Sequence, residues 1–306
     1  MNSNELALGI DIGGTNLKVG LVSADGELLD KETTPTPKPR ELREVVAALA
    51  ETVRALCDKH GVTPLGAGIG APGVVDETMH TVLWAPNFKD WIGEPIRDAI
   101  AAAINLPVVM DNDVNNFAVG EHRWGAARNF KHFVACAVGT GLGGAVFIDG
   151  KLYRGARGAA GEMGFTIISP DGPAVLDRHG VVEAYVGRAA FDRLVDERYK
   201  SGEFPTPRRI TELAAQGEPR AKEIHDILAR QLAEAAASWL HVLNPEAIVI
   251  GGGTTHQAAY FFERFEAHLR QRALPPHTEK LHILPGQLGY YAGMLGAAAL
   301  WFEQSV

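Results

Sequence analysis

The feature that most constrains this chain of 306 residues is a plan that it uses twice. "LGIDIGGTNLKVGLVSADGELL", from Leu8, and "FVACAVGTGLGGAVFIDGKLY", from Phe133, both read as strand, glycine- and threonine-containing turn, strand, Asp-Gly turn, strand. Residues 6–12 and 17–22 carry the first two strands, and Asp25-Gly26 turns the chain toward a third. The copies stand too far apart for a solenoid. The expectation is a duplicated α/β unit, two similar halves facing one another with a ligand cleft between them.

The remaining segments fit that class. Leu42, Val45, Val46, Leu49, Val53 and Leu56 recur at helical spacing and stop at Gly61. "LGAGIGAPGVV" reads as a strand and a Pro-Gly turn, "EPIRDAIAAAI" as a helix, "LPVVMDND" as a strand ending in carboxylates, and "VNNFAVGEHRW" as a short helix. A mostly helical block follows, with "PRAKEIHDILARQLAEAAASWLHVLN" its longest member. Then come the buried strand "EAIVIGGG", a helix, the strand "LHIL" and the small-residue helix "YYAGMLGAAALWFEQ".

Composition removes several function classes. Hydrophobic residues make up 46% and charged residues 22%, enough for a sizeable core. The net charge is −8, from 29 basic and 37 acidic side chains, with no basic run, which argues against a nucleic-acid partner. No apolar run reaches membrane-spanning length, and the start shows no signal-peptide layout. Cys57 and Cys136 both sit in apolar segments, so neither a disulfide framework nor a zinc site of cysteine pairs is expected. A cytoplasmic location follows as the expectation.

Gly139, Gly141 and Gly144 satisfy the dinucleotide fingerprint G-x-G-x-x-G. That fingerprint needs a helix after the turn, and here "GAVFIDGKLY" continues as a strand. A Walker-type loop is absent too. What remains is a glycine-rich hairpin tip whose backbone N–H groups can point at an anion, and Asp11-Ile12-Gly13-Gly14-Thr15-Asn16 is a second. Asp111-Asn112-Asp113 closes a strand at its carboxyl end, where open α/β sheets bind ligands.

Six blocks in order along nearly the whole chain then resemble one family. They are "DIGGTNLKVGLV", "GIGAPGVVD", "MDNDVNNFAVGEHRWGAA", "VGTGLGGAVFIDGKLYRGARGAAGEMG", "LNPEAIVIGGG" and "AGMLGAAAL". Together they resemble the repressor–open reading frame–kinase family of sugar kinases. The resemblance implies the duplicated actin-like, hexokinase-like ATPase fold (ribonuclease H-like), with two domains around a cleft. It implies residues 1–113 as a small domain completed by the C-terminal helix 290–306, and 114–289 as a large one. It implies Gly13, Gly14, Thr15 and Asn16 as the first phosphate hairpin, with Asp11 near magnesium through water. Thr140, Gly141 and Gly143 would form the second hairpin, and Gly251, Gly252 and Gly253 would border the adenosine of ATP. Asp113 is implied as the general base, Asn112 as a ligand of neighbouring sugar hydroxyls, and Gly73 as close backbone beside the sugar. Asp111 is the weaker candidate, a support for the turn. Repressor members carry a DNA-reading helix-turn-helix before the first hairpin. Here that hairpin begins about ten residues in, so the repressor reading is set aside.

The same resemblance exposes a departure. In the family a loop beginning Gly-Glu-x-Gly-His runs into a cysteine-rich stretch, and the histidine and three cysteines hold a structural zinc. Here those places read Glu162-Met163-Gly164-Phe165, then Val175, Asp177 and Val181, ending at Glu183. Every zinc ligand has gone, so no zinc is expected, and His179 reads as a surface loop residue. Phe165, Val175 and Val181 are expected to form a small apolar cluster that fixes the loop instead. Both carboxylates remain, and a carboxylate can accept two hydrogen bonds from vicinal sugar hydroxyls.

The expectation is an ATP- and magnesium-dependent hexose kinase acting on a 6-hydroxyl, glucose first. It is cytoplasmic and homodimeric, with a small-molecule sugar partner and neither membrane nor nucleic acid. An N-acetylhexosamine or mannose kinase is the alternative within the class. A catalytically silent sugar sensor on the kinase fold is the alternative outside it. Polyphosphate as donor stays open.

Overall fold

The computed structural model describes residues 5–200, 203, 205–253, 255 and 258–304. In chain order the elements begin with β1 (Leu6–Ile12), β2 (Asn16–Ser23), β3 (Leu28–Pro35), α1 (Leu42–His60), β4 (Ala67–Ala71), β5 (Val74–Val75) and β6 (Val82–Trp84). Next come α2 (Ile96–Ile104), β7 (Val108–Asn112), α3 (Asp113–Arg123), β8 (Phe133–Val138), β9 (Leu142–Ile148) and β10 (Lys151–Leu152). The loop hairpin β11 (Ala174–Val175) and β12 (Arg178–His179) is followed by α4 (Glu183–Val186), α5 (Arg188–Arg198), α6 (Pro207–Ala215) and α7 (Pro219–Leu243). The chain ends with β13 (Ala247–Gly251), α8 (Ala259–Arg272), α9 (Pro275–Thr278), β14 (His282–Pro285) and α10 (Ala292–Gln304). Among the described residues no helix is long and apolar enough to cross a membrane.

The repeated plan becomes two sheets of matching topology, ordered β3-β2-β1-β4-β7 and β10-β9-β8-β13-β14. In each, the strand before the glycine turn pairs antiparallel with the strand after it and, on its other side, parallel with a later strand, which in turn pairs parallel with the last. The third strands differ: β3 has eight residues and β10 only two. After the Gly139–Gly144 turn the chain runs straight into β9, a strand, as the dismissal of a dinucleotide fold requires.

The chain divides into two compact units. The first holds Met1–Arg128, Leu152–Ala160 and Tyr290–Val306, the second Asn129–Lys151 and Gly161–Gly289. Of these ranges residues 1–4, 201, 202, 204, 254, 256, 257, 305 and 306 lie outside those described. The boundary expected at residue 113 falls after Arg128 instead, because α3 packs on α10. A β-carbon on Gly296 of α10 would overlap the Asn116 carbonyl of α3. Sheet residues Gly9 and Gly68 meet the carbonyls of Met294 and Ala297 just as closely. The first core gathers Leu8, Ile10, Val19, Ile69 and Met110 under the α1 face of Val45, Leu49, Val53 and Leu56, with Phe88 and Trp91. Helix α1 stops at Gly61, which takes the left-handed conformation at φ 60°.

In the second unit α7 is the central helix. Glu218 accepts the Ala221 N–H at its start (2.6 Å), and Asn244 caps its end at φ 45°. Its buried face meets Phe261, Phe265 and Leu269 of α8. Burial pushes the Cys136 thiol in this core up to about 12, which leaves it inert near neutral pH.

His225 of α7 is 2% exposed, and among the described residues neither ring nitrogen has a hydrogen-bond partner. Burial lowers it from 6.5 to about 4, so the folded chain holds it neutral. The unfolded chain protonates first as pH falls. Stability is therefore intact above about pH 6.5 and drains as pH falls toward 4, at up to ~1.4 kcal/mol per unit. His225→Leu is expected to flatten the decline in Tm over that window. Parallel declines in wild type and variant would show that this imidazole does not titrate on unfolding.

Candidate functional site

In the first unit three parallel strands end in one row. Asp11 of β1 stands level with Gly70 of β4, which stands level with Asp111 of β7. The first hairpin leaves the sheet beside this row, closed by the Gly13 N–H donating to the Asn16 carbonyl at 3.0 Å. Asp11 accepts from Lys18 directly across the β1–β2 pair, at 2.9 Å. Burial works to lower the Lys18 ammonium, but the charge and hydrogen bond of Asp11 outweigh it, so its pKa is raised and it stays a cation.

Asp111 is 2% exposed, and every acceptor position on it is filled. Its Oδ1 accepts from the Asn112 N–H (2.7 Å) and Asn115 Nδ2 (2.8 Å). Its Oδ2 accepts from Arg154 Nε (2.8 Å) and Nη2 (2.7 Å). A carboxylate offers about four lone-pair sites, so none is left for a ligand. Asn112 caps α3: its Oδ1 accepts from the N–H groups of Val114 and Asn115, and its Nδ2 donates to the Gly73 carbonyl at 2.8 Å. One amide N–H is left over for a hydroxyl. Asp113 opens α3 and accepts the Val114 N–H at 3.0 Å. Gly73, at φ 86°, lies so close to the Trp84 carbonyl that no side chain would fit. In the sequence Arg154 carries no signal beyond its place in "KLYRGARG", and its partner Asp111 lies 43 positions away.

In the second unit, Thr140, Gly141 and Gly143 form the β8–β9 turn, with the Gly139 N–H donating to the Gly141 carbonyl at 2.9 Å. Glu183 begins α4 with its Oε2 accepting the Leu142 N–H at 2.8 Å, and a β-carbon on Gly141 would overlap that oxygen. The expected sugar ligand thus also braces the glycine turn. Glu162 lies in the short turn that crosses β9, where Gly161 abuts Gly144 and Gly164 abuts the Leu142 carbonyl. Desolvation by the surrounding protein, and then the charge of Glu183, raise the pKa of Glu162. Gly251 ends β13 level with Ala137 of β8. Gly252, at φ 99°, lies against the Val138 backbone, and Gly253 is exposed with open space around its α-carbon.

The loop that lacks the cysteines is held largely by backbone. Ile168 and Ser169 N–H groups donate to the Gly180 carbonyl, Gly180 N–H to Pro173, and Val182 N–H to Thr166. Leu176 and Asp177, both at positive φ, turn the β11–β12 hairpin. Trp239 of α7 donates to Thr166 Oγ1 at 3.3 Å. In the expected apolar cluster, Val181 is buried and bridges Ile167, while Phe165 and Val175 are half-buried. Met163 and Val182 supply the loop's anchors in the core. His179 is exposed, with its Nδ1 3.2 Å from the Gly172 carbonyl. Among the described residues no three of His, Cys, Asp and Glu gather as metal ligands.

Removing one partner of a buried ion pair leaves an uncompensated charge. Arg154→Met should therefore destabilise the fold by about 3 kcal/mol. Combining it with Asp111→Asn should cost less than Arg154→Met alone. Chemical denaturation of the three variants checks this, and an additive double variant would mean that the pair carries no coupling.

The chain is similar to several known proteins over nearly its whole length. The chain is 33% identical over 310 residues to a glucokinase of Thermotoga maritima, covering 97% of each. The crystal structure of a ROK family glucokinase from Streptomyces griseus, in complex with glucose and AMPPNP, superposes with a TM-score of 0.84 at 32% identity, covering 96% of this chain and 98% of that one. A ROK hexokinase from Thermus thermophilus superposes with a TM-score of 0.80 at 32% identity, covering 98% and 99%. The duplicated sheets are thus the actin-like ATPase fold that the resemblance implied. With the ROK family model matching residues 7–304, the chain belongs to the ROK family.

Proposed function

We propose that this protein, an ATP-dependent sugar kinase, transfers the terminal phosphoryl group of ATP to the 6-hydroxyl of a hexose, with glucose as first substrate. The observation that carries the choice of base is the division of labour at the end of β7. Asp111 is saturated by four donors, so it orders the turn and accepts no proton from a substrate. Asp113, two residues on at the start of α3, is the carboxylate assigned to the sugar hydroxyl.

Phosphoryl transfer proceeds through a loose transition state, so positioning and charge neutralisation dominate. As the bond from the γ-phosphorus to the bridging oxygen breaks, the sugar oxygen forms its own bond to phosphorus and its proton passes to Asp113. Asn112 offers its remaining N–H to a neighbouring hydroxyl, and Glu162 and Glu183 accept from vicinal hydroxyls. Each glycine turn has backbone N–H groups suited to phosphate oxygens. Magnesium fits the first hairpin. Asp11 would stand near it, through water, as a hard oxygen donor, and Gly293 leaves room beside it, since a β-carbon there would stand 3.3 Å from the carboxyl. Magnesium bound with ATP would supply charge neutralisation at the phosphates. No zinc enters this scheme.

Phe165 favours a second reading of the acceptor range. It stands where the family's histidine would stand and offers packing without a hydrogen bond. A site lacking a polar partner rejects altered analogues less strongly. Sugars changed near carbon 2, such as mannose or glucosamine, are therefore expected to react alongside glucose. ADP release measured over a panel of hexoses tests the reading, and absolute specificity for glucose would sink the proposed effect of Phe165.

Asp113→Asn should lower turnover by about 10²–10⁴-fold with fold and nucleotide affinity nearly intact. Turnover within a factor of three of wild type would remove Asp113 from the role. Glu183 allows a finer test, because it serves both a turn and a sugar. Glutamine keeps an oxygen for the Leu142 N–H, so Glu183→Gln should raise the KM for sugar and spare that for ATP. Glu183→Ala should raise both. If Glu183→Gln shifts only the ATP constant, the carboxylate is not a sugar ligand.

A further inference from the structure

The segment between β3 and α1 has no part in the groups above, yet it fastens the first hairpin. Thr36 Oγ1 donates to the Gly13 carbonyl at 2.7 Å, and the Thr36 N–H donates to the Thr15 carbonyl at 2.9 Å. Arg40 Nε donates to the Gly14 carbonyl, also at 2.9 Å. Three successive carbonyls of the tip are thus claimed by protein donors. Their negative ends are kept off an anion, while the N–H groups of Gly14 and Thr15 donate to no carbonyl among the described residues.

Arg40 is itself held from several sides. Nη1 donates to the Asn87 carbonyl at 3.2 Å, and the guanidinium lies over the Phe88 ring, 5.5 Å from its centroid. The Arg40 carbonyl accepts the indole N–H of Trp91 at 3.0 Å, and Phe88 and Trp91 are both buried and packed on one another. Nη2 points to the hairpin, 3.6 Å from where a β-carbon of Gly14 would stand. A permanent cation is therefore fixed beside the tip by contacts that only a planar fork makes together.

We propose that Arg40 is a positioning residue for the phosphoryl donor. It orients the Gly14 peptide and sets a fixed positive charge beside the hairpin that takes the terminal phosphates of the nucleotide. This rests on the kinase reading above. A lysine at this place supplies the charge but cannot hold the Gly14 and Asn87 carbonyls at once.

The test uses the full chain as wild type, Arg40→Ala and Arg40→Lys. Binding of magnesium AMPPNP without sugar is measured by calorimetry, beside steady-state constants for ATP and glucose and the Tm of each variant. Arg40→Ala is expected to weaken AMPPNP roughly tenfold and to raise the KM for ATP equally, with the KM for glucose within about twofold. Arg40→Lys should recover part of that loss. AMPPNP affinity in Arg40→Ala within twofold of wild type overturns the proposal. So do nucleotide and glucose constants that rise by the same factor in both variants with a matching fall in Tm, the mark of a merely structural role. Wild type that neither binds AMPPNP nor releases ADP defeats the kinase reading itself, and this is seen before any variant is compared.

Discussion

The pairing of Arg154 with Asp111 is the interaction on which the first unit's site depends. A carboxylate this deeply buried is costly unless it is paired and hydrogen-bonded. Arg154 supplies two donors, and the backbone and side chain of the turn supply the other two. The turn therefore has one way to satisfy Asp111, and that way fixes where Asn112 caps α3 and where Asp113 begins it. The same pair explains why Leu152–Ala160 belongs with the first unit although the residues on either side belong to the second. Loss of Arg154 would disturb Asp113, the proposed base, without touching it.

A second constraint sits behind the sheet. Helix α10 lies on the first sheet with its backbone nearly touching Gly9 and Gly68, and α3 lies on α10 at Gly296. Side chains would hold these backbones apart, so the small residues of "AGMLGAAAL" set the depth at which the helix docks. Almost all of its described residues up to Phe302 are buried, as expected of a helix apolar all round. The last turns of the chain thereby complete the unit that its first strands begin, and α3, which carries Asp113, takes its position from both.

Much of this was legible in the sequence because it is periodic or local. The repeated strand–turn–strand plan announces two like sheets, the α1 stripe announces a buried face, and the strand after Gly144 rules out a dinucleotide fold. What stayed hidden is contact between distant residues. Arg154 meets Asp111 across 43 positions, and Glu183 meets Leu142 across 41. Neither pairing leaves a spacing to read. The boundary at Arg128 was hidden for the same reason, since the packing of α3 on α10 joins residues far apart in the chain. Arg40 lies in a Pro-rich stretch that reads as a plain connection, and its partners Gly14 and Asn87 stand 26 and 47 positions away.

The loop without cysteines shows how a short segment can keep its shape by another physical route. A metal would hold it through a few strong bonds, whereas here the hold is spread over backbone hydrogen bonds and close glycine contacts. A β-carbon on Gly180 would overlap the Ser169 carbonyl, and one on Gly172 would overlap the Tyr185 hydroxyl. These contacts do not depend on the protonation of a metal ligand. A pH-sensitive group of the loop is Glu162. Glu162 feels both desolvation and the charge of Glu183, which raises its pKa, so it takes up a proton more readily than an ordinary glutamate as pH falls. In the sugar-binding role proposed for Glu162, that proton would turn an acceptor into a donor. Acid would then weaken sugar binding through Glu162 alone, while the backbone contacts that hold the loop stay in place.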